Sequence, residues 1–275
     1  MARRLINRHP GRFGQFHLGL LPFLILIGLY ATSSAIRLAD NPNDKLLPGF
    51  AALANAIVRV AFQIDPRTGS VLLWADTAAS LTRLGTGLAV SMALALIIGV
   101  ANGVIPYIRA GLSPLVVVIS MIPPMAVLPI LFIVFGLGEL SKVMLIIVGV
   151  APFLMRDLQG RVMELPGEQL IKAQTLGASS VQIILRVVLP QILPRLIDGV
   201  RLSLGSAWLF LISAEAIAAE VGLGYRIFLM RRYLAMDVIL PYVVWITLLA
   251  LLCDIALKRL NHALFPWMEA KRRAS

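Results

Sequence analysis

This sequence predicts an all-α polytopic membrane protein with six transmembrane helices, and three observations point there. Of its 275 residues, 59% are hydrophobic and only 14% are charged, against about 25% charged in a soluble domain. Apolar stretches near bilayer-crossing length recur along the chain. They leave one transmembrane domain over 1–275 and no room for a separate soluble one. The charges gather between those stretches. The net charge of +11 therefore reads as basic loops held on the cytoplasmic side, not as a nucleic-acid surface, which needs base-reading or stacking groups on a soluble face. The lone Cys253 excludes a disulfide within one chain and a multi-cysteine metal site. His9, His17 and His262 are far apart and form no metal motif.

The first span is expected at about 18–36, behind a segment carrying Arg3, Arg4, Arg8 and Arg12. Its apolar run is longer than a typical signal core, so it reads as a retained span. Asp40-Asn41-Pro42-Asn43-Asp44 is a turn cluster. From Leu47 to Phe62, Phe50, Leu53, Ile57 and Val60 or Ala61 share a helical face, with Pro48 at an early helical position. Arg59 interrupts the run, which reads as an interfacial helix. The second span is expected at 85–106. Gly87, Ser91, Ala95, Gly99 and Gly103 recur every four residues, so two backbones can approach closely there. Packing within the chain and a seam between two copies both fit this stripe.

The third span, 112–135, holds Pro114, Pro123, Pro124 and Pro129, and should be broken or kinked. Gly136-Leu137-Gly138-Glu139 turns into a short fourth span, 141–155. A polar segment follows, with a helical elbow over 164–190. Pro166 opens its first helix, Gly177 stops it, Ser179 or Ser180 caps the second, and Pro190 limits that one. The fifth span, 197–217, leads into an irregular stretch with Gly222-Leu223-Gly224-Tyr225. The sixth, 239–257, precedes a basic tail. An orientation with both ends cytoplasmic places 16 of the 25 Lys and Arg inside, as the basic bias of cytoplasmic loops requires. Trp74, Trp208, Trp245 and Trp267 fall near span ends or within a few turns of them, where an aromatic belt or plain packing would use them.

Three groups of residues stand out. Met121, Pro123, Pro124 and Met125 sit at the proline break and are candidates for a constriction, since Met packs adaptably; helix packing is the alternative. Ser213 and Glu215 end the fifth span. An acid at membrane depth is expensive and normally faces a cavity, a partner or water. Arg226, Arg231 and Arg232 are candidate partners for Glu215. Arg83 suits either attraction of an anion or a salt bridge, and Arg201 and Asp254 are placed near the inner interface.

The third group carries a resemblance. Ala173-Gln174-Thr175-Leu176-Gly177-Ala178-Ser179, followed by Val187-Val188-Leu189-Pro190, resembles the EAA loop of binding-protein-dependent ABC transporter permeases. Gly177, Leu189 and Pro190 match that pattern and Val187 replaces an isoleucine. Ile171 and Lys172 stand where Glu and Ala are usual, and Ala173 matches the second alanine. Ile122 to Pro129, Phe135 to Glu139, Ala214 to Ile217 and Gly222 to Tyr225 are similar to the membrane subunits of nitrate, taurine and alkanesulfonate importers.

The resemblance implies a type I ABC importer-like permease of a bacterial inner membrane, moving a small polar solute such as a sulfonate, nitrate or small nitrogen compound. It implies a second copy of the chain, two ABC ATPase subunits and an extracytoplasmic solute-binding protein as partners, with ATP and Mg²⁺ in the ATPase and no cofactor here. Leu170, Lys172, Ala173, Gln174, Leu176 and Gly177 would then couple to the ATPase, with Leu170, Ala173 and Leu176 as the docking face. No Gly-x4-Gly-Lys-Ser/Thr phosphate loop occurs, consistent with a separate motor. A membrane enzyme would need a nucleophile–base or two-acid pair within its spans, and no such motif is apparent. A gradient-driven transporter and a non-transporting scaffold are the rival readings; the elbow has no role in the former.

Overall fold

The computed structural model describes residues 11–42 and 44–267. Arg3, Arg4, Arg8, His9 and the basic tail beyond Trp267 lie outside the described residues. Among the described residues the chain forms ten helices: α1 (Arg12–Asp40), α2 (Phe50–Phe62), α3 (Leu72–Val104), α4 (Pro106–Met121), α5 (Pro124–Phe135), α6 (Glu139–Met163), α7 (Gly167–Thr175), α8 (Ser180–Ala218), α9 (Leu223–Arg231) and α10 (Met236–Leu264). Four of them, α1, α3, α6 and α10, are long and apolar enough to cross a membrane. The bent pairs α4–α5 and α8–α9 bring the total to six when each counts as one span.

α6 is the central element, packed along α3 on one side and α8 on the other. The small-residue stripe of α3 makes this possible. A Cβ on Gly87 would come within 2.8 Å of Ile146, one on Gly99 within 3.0 Å of Leu158, and one on Gly103 would collide with Val162. The stripe is thus an intramolecular seam. α1 stands apart from this core and is largely exposed. It is tied to the loop after it by Tyr30 Oη donating to the Pro48 carbonyl (2.6 Å), Ser34 Oγ donating to the Leu47 carbonyl (2.9 Å) and an Arg37–Asp44 pair.

Several boundaries differ from expectation. α3 begins at Leu72 rather than 85, because its polar residues Asp76, Ser80 and Arg83 are paired inside the protein and do not end the helix. α4 begins at Pro106, so the expected 106–112 loop is helical; proline suits a first helical position, and Arg109 turns back to the Asn102 and Gly103 carbonyls at the end of α3 (3.0 and 2.9 Å). α6 runs to Met163 with Pro152 buried in its interior. Pro48 stays outside α2, whose buried residues are Ala56, Val60 and Ala61, while Phe50 and Ile57 are exposed.

The elbow is also less divided than expected. Pro190 does not limit the second helix, which continues into the fifth span as α8. One wide turn at Ile184–Val188 precedes the proline. A widened turn relieves the carbonyl clash that proline causes in a regular helix. The sixth span extends to Leu264.

Candidate functional site

Asp76, Ser80 and Arg83 lie at i, i+4 and i+7 on α3 and so share one helical face. That face meets the last turn of α8, the 219–222 loop, α9 and α10. Asp76, fully buried, accepts from the Gly222 amide (2.9 Å), Arg226 Nε (2.8 Å) and Tyr242 Oη (3.0 Å). Glu215, also fully buried, accepts from Ser80 Oγ (2.7 Å), Arg83 Nη1 (2.7 Å) and the Gly224 amide (2.8 Å). Arg83 also donates to the Val221 carbonyl (2.8 Å) and grips Glu139 with two nitrogens; Lys142 Nζ lies 2.8 Å from the same carboxylate. Ser80 Oγ accepts from the Leu223 amide at 2.9 Å.

Three carboxylates therefore face three cations, with backbone amides and hydroxyls filling the remaining positions. Buried charge is tolerable only when paired and hydrogen-bonded in this way. The glycines are part of the design. Gly222 has φ +144°, and a Cβ there would stand 2.6 Å from the Glu215 carboxylate; one on Gly224 would stand 2.5 Å from the Ile212 carbonyl. Only bare backbone can close on this acid.

This arrangement is a clamp holding the α8–α9 corner onto α3, α6 and α10. It corrects the expected pairing of Glu215. Arg83 fills that role, Arg226 serves Asp76, and Arg231 and Arg232 are exposed. Of the two uses weighed for Arg83, the salt bridge is the one seen. Sequence reasoning missed Asp76, Ser80, Lys142 and Tyr242. The available signal was the four- and three-residue spacing of polar groups on an otherwise apolar helix.

The proline break lies elsewhere. α4 and α5 meet at 96° across Ile122-Pro123. Met121 is 70% exposed; Pro123 and Met125 are exposed and Pro124 is half-buried. Ser213 is half-buried and donates to the Leu209 carbonyl of its own helix (2.8 Å). No described hydrogen bond of Ser213 or Glu215 reaches the 121–125 break. The same helix presents Leu202, Leu209 and Ile217 as an exposed apolar stripe.

The elbow occupies the opposite end of the bundle from the clamp. Gly177, at φ +81°, closes α7: its amide donates to the Gln174 carbonyl (2.9 Å) and that of Ala178 to the Ala173 carbonyl (3.0 Å). Ser179 and Gln182 then form a reciprocal cap on α8, which satisfies two end amides at once. Gln191 Nε2 bonds Gln169 Oε1 (3.0 Å), tying α7 to α8. The expected docking face is split. Leu170 and Ala173 are half-buried against the protein's own core, whereas Lys172, Gln174 and Gly177 are exposed and Leu176 is 88% exposed. Arg201 and Asp254 pair through two bonds (2.9 and 3.1 Å) and join α8 to α10.

The family described as binding-protein-dependent transport system inner membrane component matches residues 88–270. The chain is 38% identical over 196 residues to the taurine transport system permease protein TauC of Escherichia coli (strain K12), covering 71% of each. It is 30% identical over 245 residues to the bicarbonate transport system permease protein CmpB of Synechococcus elongatus, covering 86% of this chain and 84% of that one. Among solved structures, a bacterial ABC transporter involved in the import of alginate superposes with a TM-score of 0.62 at 16% identity, over 90% of this chain and 95% of that one. At that identity the likeness concerns the fold.

Proposed function

The chain belongs to the family of binding-protein-dependent transport system inner membrane components, and from this premise we propose how its parts divide the work of transport. It is a multi-pass inner-membrane permease subunit of an ABC importer, a transport subunit and not a catalyst. In our reading, separate subunits bind ATP and Mg²⁺ and hydrolyse the nucleotide, a binding protein delivers solute on the other side, and two copies of this chain enclose the path. Both termini face the cytoplasm, which the basic bias of the loops supports.

The observation that carries the reading is the elbow. It is braced from within by Leu170, Ala173 and the Gln169–Gln191 bond, while Leu176 and Ile171 are exposed, largely uncovered by the described residues. A stiff, capped elbow with an apolar tip can pass a push from a docked ATPase into α8, with which it is continuous. The exposed residues that engage the ATPase are then Lys172, Gln174, Leu176 and Gly177, with Leu170 and Ala173 acting from behind. Met121, Pro123, Pro124, Met125 and Ser213 border the path, and the Glu215 clamp keeps the outer corner rigid while the rest moves. The solute we assign is a small oxyanion-bearing molecule, a sulfonate such as taurine or a planar anion such as bicarbonate or nitrate. The two permease relatives support this choice.

The test is reconstitution of the chain with the ABC ATPase that co-purifies with it. ATP hydrolysis should rise on adding the binding protein with its solute, and uptake should require ATP. Uptake that persists without ATP and follows an ion gradient would overturn the reading.

A further inference from the structure

A groove of about 260 Å³ runs between α2, α3 and α10, on the clamp end of the bundle. Its walls include Leu53, Ile57, Leu73, Val244, Trp245 and Leu248. The two lining side chains with polar atoms turn them away: Tyr242 Oη bonds Asp76, and Trp245 Nε1 bonds Thr77 Oγ1 at 2.9 Å. The groove thus offers apolar surface and no free hydrogen-bonding side chain. It opens laterally, where Ile57, Val244 and Leu248 are exposed.

We infer that this groove holds one acyl chain of a membrane phospholipid, with the headgroup phosphate beside Arg59. Depth supports this occupant. The α10 wall of the groove runs from Leu240 to Leu248, eight residues or about 12 Å at 1.5 Å per residue. Half the hydrocarbon core of a bilayer is about 15 Å. The groove therefore fits within the depth of one leaflet and is no longer than that leaflet's chain.

Size excludes a helix. A cylinder about 10 Å across would need several times this volume over the same length, so α1 of a second copy could lie across the mouth but not within the groove. Charge supports a headgroup at the mouth. The Arg59 side chain is 60% exposed and meets Asp237 through one long contact of 3.3 Å, which leaves most of its five donors free. This inference requires only that the chain sits in a membrane and goes beyond its role in transport.

The experiment uses the full chain in phosphatidylethanolamine vesicles containing phosphatidylglycerol with a diazirine at mid-chain. Photolabel should concentrate on residues 53–57 and 244–248 over equally exposed positions of α1. Val244→Trp and Ile57→Trp, both at exposed lining positions, should each lower groove labelling about tenfold, the value of some two buried methylenes, with α1 labelling unchanged. Arg59→Gln should lower the preference for labelled phosphatidylglycerol over equally labelled phosphatidylethanolamine about fivefold, as one surface cation is expected to. Uniform labelling of all lipid-facing residues would overturn the inference. So would a cross-link from Val244→Cys to α1 of a second copy.

Discussion

Glu215 costs the protein a buried carboxylate and returns a fixed corner. With Ser80, Arg83 and the Gly224 amide all within 2.8 Å, its charge has no call for water. Removing Arg83 would strand that charge. Arg83→Met should destabilise the folded chain by about 3–5 kcal/mol, seen as a lower unfolding temperature in mild detergent. Gly222→Ala should be comparably harmful despite its small size, because both φ and the carboxylate oppose a Cβ. Asp76→Asn and Arg226→Gln touch one contact, so their double mutant should be less damaged than the sum of the singles, by at least about 0.5 kcal/mol. Strict additivity would mean that the Asp76 pair is not a unit. Glu215 was legible in the sequence as an acid needing a partner, but its partner was not. Arg226 is nearer in sequence, whereas Arg83 reaches it only because α3 and α8 pack side by side, which a sequence does not display.

At the scale of the element, helix ends marked by backbone chemistry were readable. Gly177 stops α7 and Ser179 caps α8 where the residue types demand. Pro123-Pro124 breaks the third span. The second and fifth spans were misjudged for opposite reasons. Polar residues shortened α3 on paper but are satisfied inside, and Pro190 divided α8 on paper but is absorbed by a wide turn. The α3–α6 seam makes its own prediction. Gly103→Leu forces a branched side chain into Val162 and should cost about 1–3 kcal/mol, whereas Gly111→Leu, in open space, should be nearly neutral. For the elbow, Leu176→Asp should cut ATP-driven uptake at least about tenfold, equivalent to some 1.4 kcal/mol of docking energy, with membrane abundance unchanged. Normal uptake in that variant would remove Leu176 from the coupling surface.

For the whole molecule, the exposed stripe of Leu202, Leu209 and Ile217 on α8 is the face we assign to the second copy. In a Cys253→Ser background, single cysteines at 202, 209 or 217 should form disulfide-linked pairs on mild oxidation in native membranes. A disulfide requires Cα atoms about 4.4–6.8 Å apart, so failure at all three positions would move the interface elsewhere.

The clamp has a further consequence for the assembled transporter in an energised cell. Moving one elementary charge through a potential of 100 mV involves about 2.3 kcal/mol. A corner carrying Glu215 alone would feel the membrane voltage whenever it shifted in depth. Here Asp76, Glu139 and Glu215 travel with Arg83, Lys142 and Arg226, so the six clamp groups move as an electrically neutral set. Displacement of that set carries no net gating charge, so burying Glu215 there does not couple the corner to the voltage across the membrane.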